Sequence, residues 1–307
     1  MEMQGLISII IPVYNGARYI RPCYESLRNQ SIQEWEAVFI DDGSTDDSLN
    51  ELKKLSNNDN RVKVIHKVNE GVAIARETGI KEASGEYITF LDVDDTIVPF
   101  ALEHFLFNFN SESTDIVIAG INIVSEQNRL LRRIQYRQMS CSGRTGVENM
   151  CTGALRWQLW GKAFKTAILQ DVLTPNGLRS AEDMAVCLQT TLRARKINVL
   201  SQCLYNYVQV STSVTHSKAR EISYDALEAA RFVDNAIGSE IDHVYMDCLY
   251  LLIISSGLRA GISVKDKIFK RAIKKHGKLR SILRLPFPKA INVGLYKYFN
   301  INLARHL

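Results

Sequence analysis

The chain of 307 residues is poor in the features that mark several protein classes. It has no C-x-x-C pair, and its six cysteines (23, 141, 151, 187, 203 and 248) are scattered with no histidine at zinc spacing. That pattern argues against a structural zinc site or a secreted disulfide framework and predicts reduced thiols. Proline is scarce at 6 and glycine stands at 17, which excludes collagen-like and proline-rich classes. No run approaches the roughly 18 apolar residues of a spanning helix. The longest candidate, Leu249 to Leu258, is broken by Ser255, Ser256 and Gly257. The opening Met-Glu-Met-Gln lacks a basic n-region and a cleavage site, so a cytoplasmic protein is expected. Apolar residues at 46% and charged residues at 23% supply an ordinary globular core and exclude a disordered chain.

Acid is nearly absent from one end. From Leu258 to Leu307 there are 13 Lys and Arg against the single acid Asp266, a net charge of about +12. The whole chain carries only +5, so the preceding residues carry about −7. The basic segment is also amphipathic, with Ile268, Phe269, Ala272, Ile273, Leu279, Ile282 and Leu283 recurring at three- and four-residue spacings. Such a helix fits either an anionic membrane surface or a solvated face packed on the body. Nucleic acid is not an expected partner, because no aromatic-basic recognition module accompanies the charge.

The first third alternates strand and helix signals. Leu6–Pro12 is a continuous apolar run, as in a strand covered on both faces. A helix over Arg18–Gln30 follows, then a strand at Glu36–Ile40, a helix at Asp46–Leu55 capped by Thr45 or Asp46, a strand at Val62–His66, a helix at Gly71–Ala83 and a strand at Tyr87–Leu91. Pro99 opens another helix. This order predicts an α/β fold with a mostly parallel sheet and helices on both faces. Strands are expected at Asp115–Ala119, Arg129–Arg137 and Val199–Val210, with a helix at Ala181–Ala194. From about Ser217 the pattern is helical. The expected organisation is a catalytic domain over 1–215 and a basic helical region over 216–307.

Polar clusters fall at the carboxyl ends of the predicted strands, where open α/β sheets bind ligands. They are Tyr14-Asn15, Asp41-Asp42 and Asp92/Asp94/Asp95. Carboxylates as close as Asp92, Asp94 and Asp95 repel unless a cation intervenes. Mg²⁺ or Mn²⁺ held by few carboxylates completes its shell with water and substrate phosphate, so a diphosphate held through a metal is one reading. An acidic turn capping the next helix is the other. Asp42 could accept bonds from a base or ribose, or cap the helix at Asp46. Arg76 could reach phosphate oxygens or form a surface ion pair. Glu182-Asp183 opens an apolar helix; it is a cap or a general base.

Taken together, Ile7–Gly16 (ISIIIPVYNG), Phe39–Asp47 (FIDDGSTDD), Asn69–Gly79 (NEGVAIARETG), Ala83–Pro99 (ASGEYITFLDVDDTIVP), Trp160–Lys162 (WGK) and Glu182-Asp183 resemble glycosyltransferase family 2. The resemblance is close over residues 5–100 and looser to about 215. It implies a GT-A, Rossmann-like fold and an inverting, metal-dependent transferase of the hexosyltransferase type. The implied donor is a nucleotide sugar, typically a UDP-sugar, and the implied acceptor a glycan or lipid-linked hydroxyl in bacterial surface polysaccharide synthesis. Position by position, it implies that Pro12 and Tyr14 flank the base, Asp42 recognises it, and Arg76 lies near the diphosphate. Asp92 and Asp94 match the metal-and-ribose D-x-D, with Asp94 the direct ligand of Mn²⁺ or Mg²⁺. Asp183 matches the catalytic base, with Glu182 beside it, and Trp160 and Lys162 approach the sugar and acceptor. Enzymes of this kind often work at the inner membrane face, which fits the basic end. Three positions depart from the common pattern: Glu77 follows Arg76 where Asn is usual, Gly161 stands where Asn is common, and the aromatic expected after Asp183 is replaced by Met184. The competing readings are a nucleotidyltransferase and a non-catalytic nucleotide-sugar-binding protein. The first would need a basic, Gly-rich loop at Pro12–Gly16, and the second a missing acid.

Overall fold

The apolar run at the N-terminus becomes a central strand, β1 (Ile7–Val13), in which every residue but Pro12 is buried. β1 pairs in parallel with β2 (Trp35–Asp42) on one edge and with β4 (Tyr87–Phe90) on the other, and β2 pairs in parallel with β3 (Val62–Lys67). A strand bonded on both edges and covered on both faces needs no polar alternation. The computed structural model describes residues 5–172, 174–175, 178, 180–209, 219–263, 265–286, 289–290, 293–294 and 297.

Three crossover helices connect these strands: α1 (Ala17–Arg28), α2 (Ser48–Asn58) and α3 (Val72–Glu82). Ile9, Ile11 and Val13 share one core with Cys23 and Leu27 of α1 and Leu52 of α2. On the other face, α3 presents Gly79 to the sheet. A Cβ there would lie 2.4 Å from Ile10 and 2.8 Å from Ile40, so only glycine permits this approach. Helices therefore cover both faces. The helix predicted from Asp46 starts at Ser48, and Asp46 Oδ1 accepts the Ser48 N–H at 3.0 Å.

The chain continues through β5 (Thr96–Ile97), α4 (Ala101–Glu112), β6 (Ile116–Ser125), β7 (Leu130–Ile134), β8 (Met139–Cys141), α5 (Gly143–Thr152), β9 (Lys162–Lys165), α6 (Thr166–Leu169), α7 (Glu182–Arg193) and β10 (Ile197–Gln209). The sheet order is β3-β2-β1-β4-β9-β6-β10-β5, with β7 on β6 and β8 on β10. The parallel half is the N-terminal one. Beyond β4, among the described residues, β6 and β10 are the one parallel pair, and β9 is antiparallel to both β4 and β6. The strands expected over Val199–Val210 form one strand, irregular between Val199 and Tyr205; Val210 lies outside the described residues.

Two compact units are present. The first comprises 1–142, 159–171 and 193–211, and holds the sheet. The second comprises 143–158, 172–192 and 212–307. It contains α5, most of α7, and the helices α8 (Ala219–Ile237), α9 (His243–Arg259), α10 (Lys267–His276) and α11 (Leu279–Ile282). The boundary expected at 215/216 lies outside the described residues. The second unit also takes in segments from the middle of the chain, because apolar helix faces pair irrespective of sequence distance. Within it, Cys187 Sγ of α7 lies 3.9 Å from Met150 Sδ of α5.

Candidate active site

The loop after β1 is stitched to the loop after β2. Asn15 adopts a left-handed backbone, φ 51°, which asparagine tolerates. Its Oδ1 accepts the N–H groups of Thr45 (2.8 Å) and Asp46 (3.3 Å), while its own N–H donates to Ser44 Oγ (3.0 Å). At the start of α1, the N–H of Gly16 donates to Ser48 Oγ at 3.0 Å and that of Ala17 to Asp46 Oδ2 at 3.2 Å. Helix-terminal N–H groups lack intrahelical partners, and here the second loop supplies them. Pro12 is half-buried near the end of β1, and Tyr14 projects from the loop, 55% exposed.

Two buried acids end β2. Asp41 Oδ2 lies 2.6 Å from His66 Nδ1, and its Oδ1 accepts the Ser44 N–H at 3.3 Å. Asp42 Oδ1 accepts from Lys67 Nζ (2.9 Å) and the Glu70 N–H (3.0 Å); its Oδ2 accepts the Gly71 N–H (2.8 Å). Buried charge requires such partners. Neither acid caps α2; Asp41 ties the loop after β2 to His66 of β3, and Asp42 holds the loop after β3. Gly43 makes the close approach feasible: its φ is 71°, and a Cβ would meet the Asn69 nitrogen at 2.7 Å.

The acidic turn after β4 has three different fates. Asp92 Oδ1 pairs with Arg76 Nη2 at 2.8 Å, and Arg76 itself is buried within α3. Asp94 is exposed to solvent. Partial desolvation of the carboxyl against the protein, and then the Asp92 carboxylate, push its pKa up to about 6. Asp95 turns inward and is 1% exposed. It accepts the Tyr205 hydroxyl at 2.6 Å and the Val208 N–H at 2.7 Å. Burial, then Asp94 and Asp92, raise its pKa well above the usual carboxylate range. The Asp92 N–H donates to the same Tyr205 oxygen at 3.3 Å. Val93, between the acids, packs against the first loop, since a Cβ on Gly16 would meet its Cγ1 at 3.1 Å.

Trp160 stacks on Tyr205 with ring centroids 5.3 Å apart and lies tilted against Tyr207 at 5.8 Å. Arg76, Asp92, Tyr205 and Trp160 thus form one contiguous chain of contacts. Gly161 has φ 70°, a conformation that glycine and asparagine both adopt, which accounts for glycine at a position where the resemblance expects asparagine. Lys162 opens β9 and is 1% exposed, and its carbonyl accepts the Thr89 hydroxyl at 2.7 Å. Glu182, buried, and Asp183, half-buried, form the first turn of α7, where the helix dipole favours carboxylates. Pro12, Tyr14, Asp42, Arg76, Asp92, Asp94, Trp160 and Lys162 belong to the first unit; Glu182 and Asp183 belong to the second.

Sequence reasoning overlooked Tyr205, His66 and Lys67. Tyr205 had a signal, because Tyr205-x-Tyr207 on a strand places two aromatics on one face. Among the described residues no group of three or more His, Cys, Asp or Glu forms a metal cage. Mg²⁺ or Mn²⁺ bound through one or two carboxylates and a phosphate needs none. The exposed Asp94, destabilised as an anion by partial desolvation and then by Asp92, is a hard-oxygen donor that fits such an ion. Asp95 is committed to Tyr205 and Val208.

The family model described as Glycosyl transferase family 2 matches residues 8–169. The putative glycosyltransferase EpsH of Bacillus subtilis is 31% identical over 207 residues, covering 66% of this chain and 60% of that protein. An uncharacterized glycosyltransferase of Rickettsia bellii is 32% identical over 203 residues, covering 62% of this chain and 27% of that protein. Glycosyltransferase GlyG of Streptococcus pneumoniae is 30% identical over 226 residues, covering 70% of this chain and 75% of that protein. Among solved structures, S. aureus TarS in complex with UDP-GlcNAc matches with a TM-score of 0.69 at 21% identity, over 95% of this chain and 87% of that one. The mannosyltransferase PcManGT from Pyrobaculum calidifontis, in complex with GDP-Man and Mn²⁺, matches with a TM-score of 0.60 at 14% identity, over 97% and 85%. These likenesses give the GT-A fold. With the family model covering more than half of its length, the chain belongs to glycosyl transferase family 2.

Proposed function

We propose that the chain transfers a sugar from a nucleotide-diphosphate donor, a UDP-sugar, to a hydroxyl of a glycan or lipid-linked acceptor, with inversion at the anomeric carbon, in bacterial surface polysaccharide synthesis. The observation that carries this reading is the joining of three strand-end loops, through Asn15, Asp42 and Asp92, around the buried Arg76 and the exposed Asp94. The UDP-GlcNAc bound to TarS supports the choice of uridine.

In this reading Pro12 and Tyr14 flank the base, and the exposed Tyr14 ring offers a stacking face. Asp42 reads the base edge with the capacity left on its carboxylate. Arg76 faces the diphosphate, and Asp92 faces the ribose while holding the Arg76 guanidinium in place. Asp94, with Asp92 beside it, would hold Mn²⁺ or Mg²⁺, and the Mn²⁺ in PcManGT supports a divalent ion. Such an ion, when bound, neutralises charge on the departing diphosphate. Asp183 takes the proton of the acceptor hydroxyl as that oxygen bonds to the anomeric carbon. The bond from that carbon to the diphosphate oxygen breaks, and the electron pair leaves with the nucleotide. One displacement on the face opposite departure inverts the centre, as in inverting hydrolysis with a hydroxyl in place of water. Glu182 flanks the base, and the segment that carries Trp160 and the buried Lys162 lies towards sugar and acceptor. A lipid-linked acceptor would place the work at the inner face of the cell membrane.

The test is a donor screen. Purified protein is challenged with common UDP- and GDP-sugars, with Mn²⁺ and with EDTA, reading thermal shift and nucleotide release. Binding of a UDP-sugar with Mn²⁺-dependent UDP release is expected. If no sugar nucleotide binds or turns over, the proposal fails.

A further inference from the structure

The described part of the basic end packs within the second unit through one face of α10 and the turn that follows it. Asp266 caps α10 by accepting the N–H groups of Ile268 and Phe269, both at 2.9 Å. Phe269, Ile273 and His276 form the buried face of that helix. His276 stacks on Tyr250 of α9 at 3.8 Å, and its Nδ1 lies 2.8 Å from Asp247 Oδ1. The hydroxyl of Ser281, in α11, donates to the other Asp247 oxygen at 3.3 Å. Asp247, His276 and Ser281 are all nearly sealed from solvent, as are the apolar Ile282 and Leu285. The corner between α10 and α11 therefore has a complete inward face.

Its outward face is unusual. Leu279 is 59% exposed and Leu283 is 72% exposed, although Ile282 and Leu285 beside them are buried. Separated by four residues, the two leucines lie on one side of the turn. They are surrounded by exposed Lys274, Lys275 and Arg280, and by Lys278 and Arg284, whose side chains bond to Asp247 at 3.1 Å and to the Tyr245 hydroxyl at 2.9 Å. Large apolar side chains ringed by long cations are the composition of a helix in a bilayer interface. There the apolar groups enter the headgroup boundary while the cations extend to acidic headgroups. The net charge of about +12 over Leu258–Leu307 supplies the complementarity to an anionic surface.

We propose that the α10–α11 corner is a docking site for an anionic bilayer, with Leu279 and Leu283 as its inserting residues and Lys274, Lys275 and Arg280 as its headgroup contacts. This sharpens the membrane-face reading above and rests on none of the transfer chemistry.

Flotation with phosphatidylcholine vesicles, with and without about 30% phosphatidylserine, tests it. The full chain is expected to float with the anionic vesicles, to be released at high salt, and to stay behind with the neutral ones. The double variant Leu279→Asp/Leu283→Asp should lower partitioning about tenfold or more, and Lys274→Glu/Lys275→Glu should do the same. Both pairs are exposed, so melting temperature and UDP-sugar thermal shift should stay as in wild type. That keeps a failure of docking distinct from a failure of the donor reading. Equal recovery in both vesicle types, none in either, or wild-type partitioning of the leucine variant would overturn the proposal. So would a wild-type dimer in light scattering that the leucine variant makes monomeric, because the occupant would then be a second copy.

Discussion

The Tyr205 hydroxyl donates to Asp95 at 2.6 Å and accepts the Asp92 N–H at 3.3 Å, so one phenol from β10 holds both ends of the acidic turn after β4. The ring is stacked on Trp160, which fixes its angle. Asp95 consequently serves as the fastening of the turn, and Asp94 is left at the surface.

Tyr205→Phe keeps the stack and deletes the fastening. Removing one partner from a buried carboxylate costs about 1–3 kcal/mol. A lower melting temperature is expected, together with weaker Mn²⁺-dependent UDP-sugar binding by calorimetry, because the turn loses its register. Unchanged donor affinity in a destabilised variant would reduce Tyr205 to a packing residue.

How far the sequence spoke for itself differs between these residues. The strand-end acids were legible because each follows a continuous apolar run, and period and burial fix where such a run ends. Their partners were not. Nothing local to Asp42 names Lys67, Glu70 and Gly71 as its donors, and nothing local to Asp95 names Tyr205, 110 residues away. β9 was missed because Lys162-Ala-Phe-Lys165 has a charge at each end and reads as surface, yet Lys162 is buried. α5 was missed because Gly143 and Gly146 weaken its helical signal; its burial among the helices of the second unit overrides that propensity.

The glycines with positive φ separate two kinds of constraint. A Cβ on Gly161 would find its nearest neighbour 3.6 Å away, so only backbone conformation matters there. Gly161→Asn should melt close to wild type, and Gly161→Ala should lose about 1–2 kcal/mol. Gly43→Ala adds a 2.7 Å clash with the Asn69 backbone and should lose more, loosening the loop that Asp42 holds. Denaturant midpoints rank the three. Equal losses for both alanines would remove the clash from the account.

Asp183→Asn and Asp94→Ala should fail differently. Losing a general base lowers turnover by about 10²–10⁴ while the donor still binds. Losing the metal-side carboxylate should weaken UDP-sugar binding in Mn²⁺ and leave binding in EDTA unchanged. Single-turnover rates beside calorimetric affinities separate the two. Near-normal turnover of Asp183→Asn would take the base role away from it.

Acid should weaken the first unit through Asp59. Its carboxylate accepts from Arg61 Nη2 at 2.7 Å, Arg61 Nε at 3.0 Å and the Tyr24 hydroxyl at 2.9 Å, while the guanidinium lies 3.9 Å from the centroid of Trp35. The Arg61 hydrogen bond is the main cause that holds the Asp59 pKa down at about 2. In the unfolded chain an aspartate titrates near 3.9, so the folded value is the lower one. The resulting stabilisation is present above about pH 4 and is lost as pH falls towards 2; at neutral pH it amounts to ~2 kcal/mol. Asp59→Asn should therefore melt below wild type at pH 7, and the gap should close as pH falls towards 2. Salt should narrow the gap little, because the carboxylate is only 9% exposed. A gap that keeps its size from pH 7 to pH 2 would show that Asp59 contributes through packing rather than through its charge.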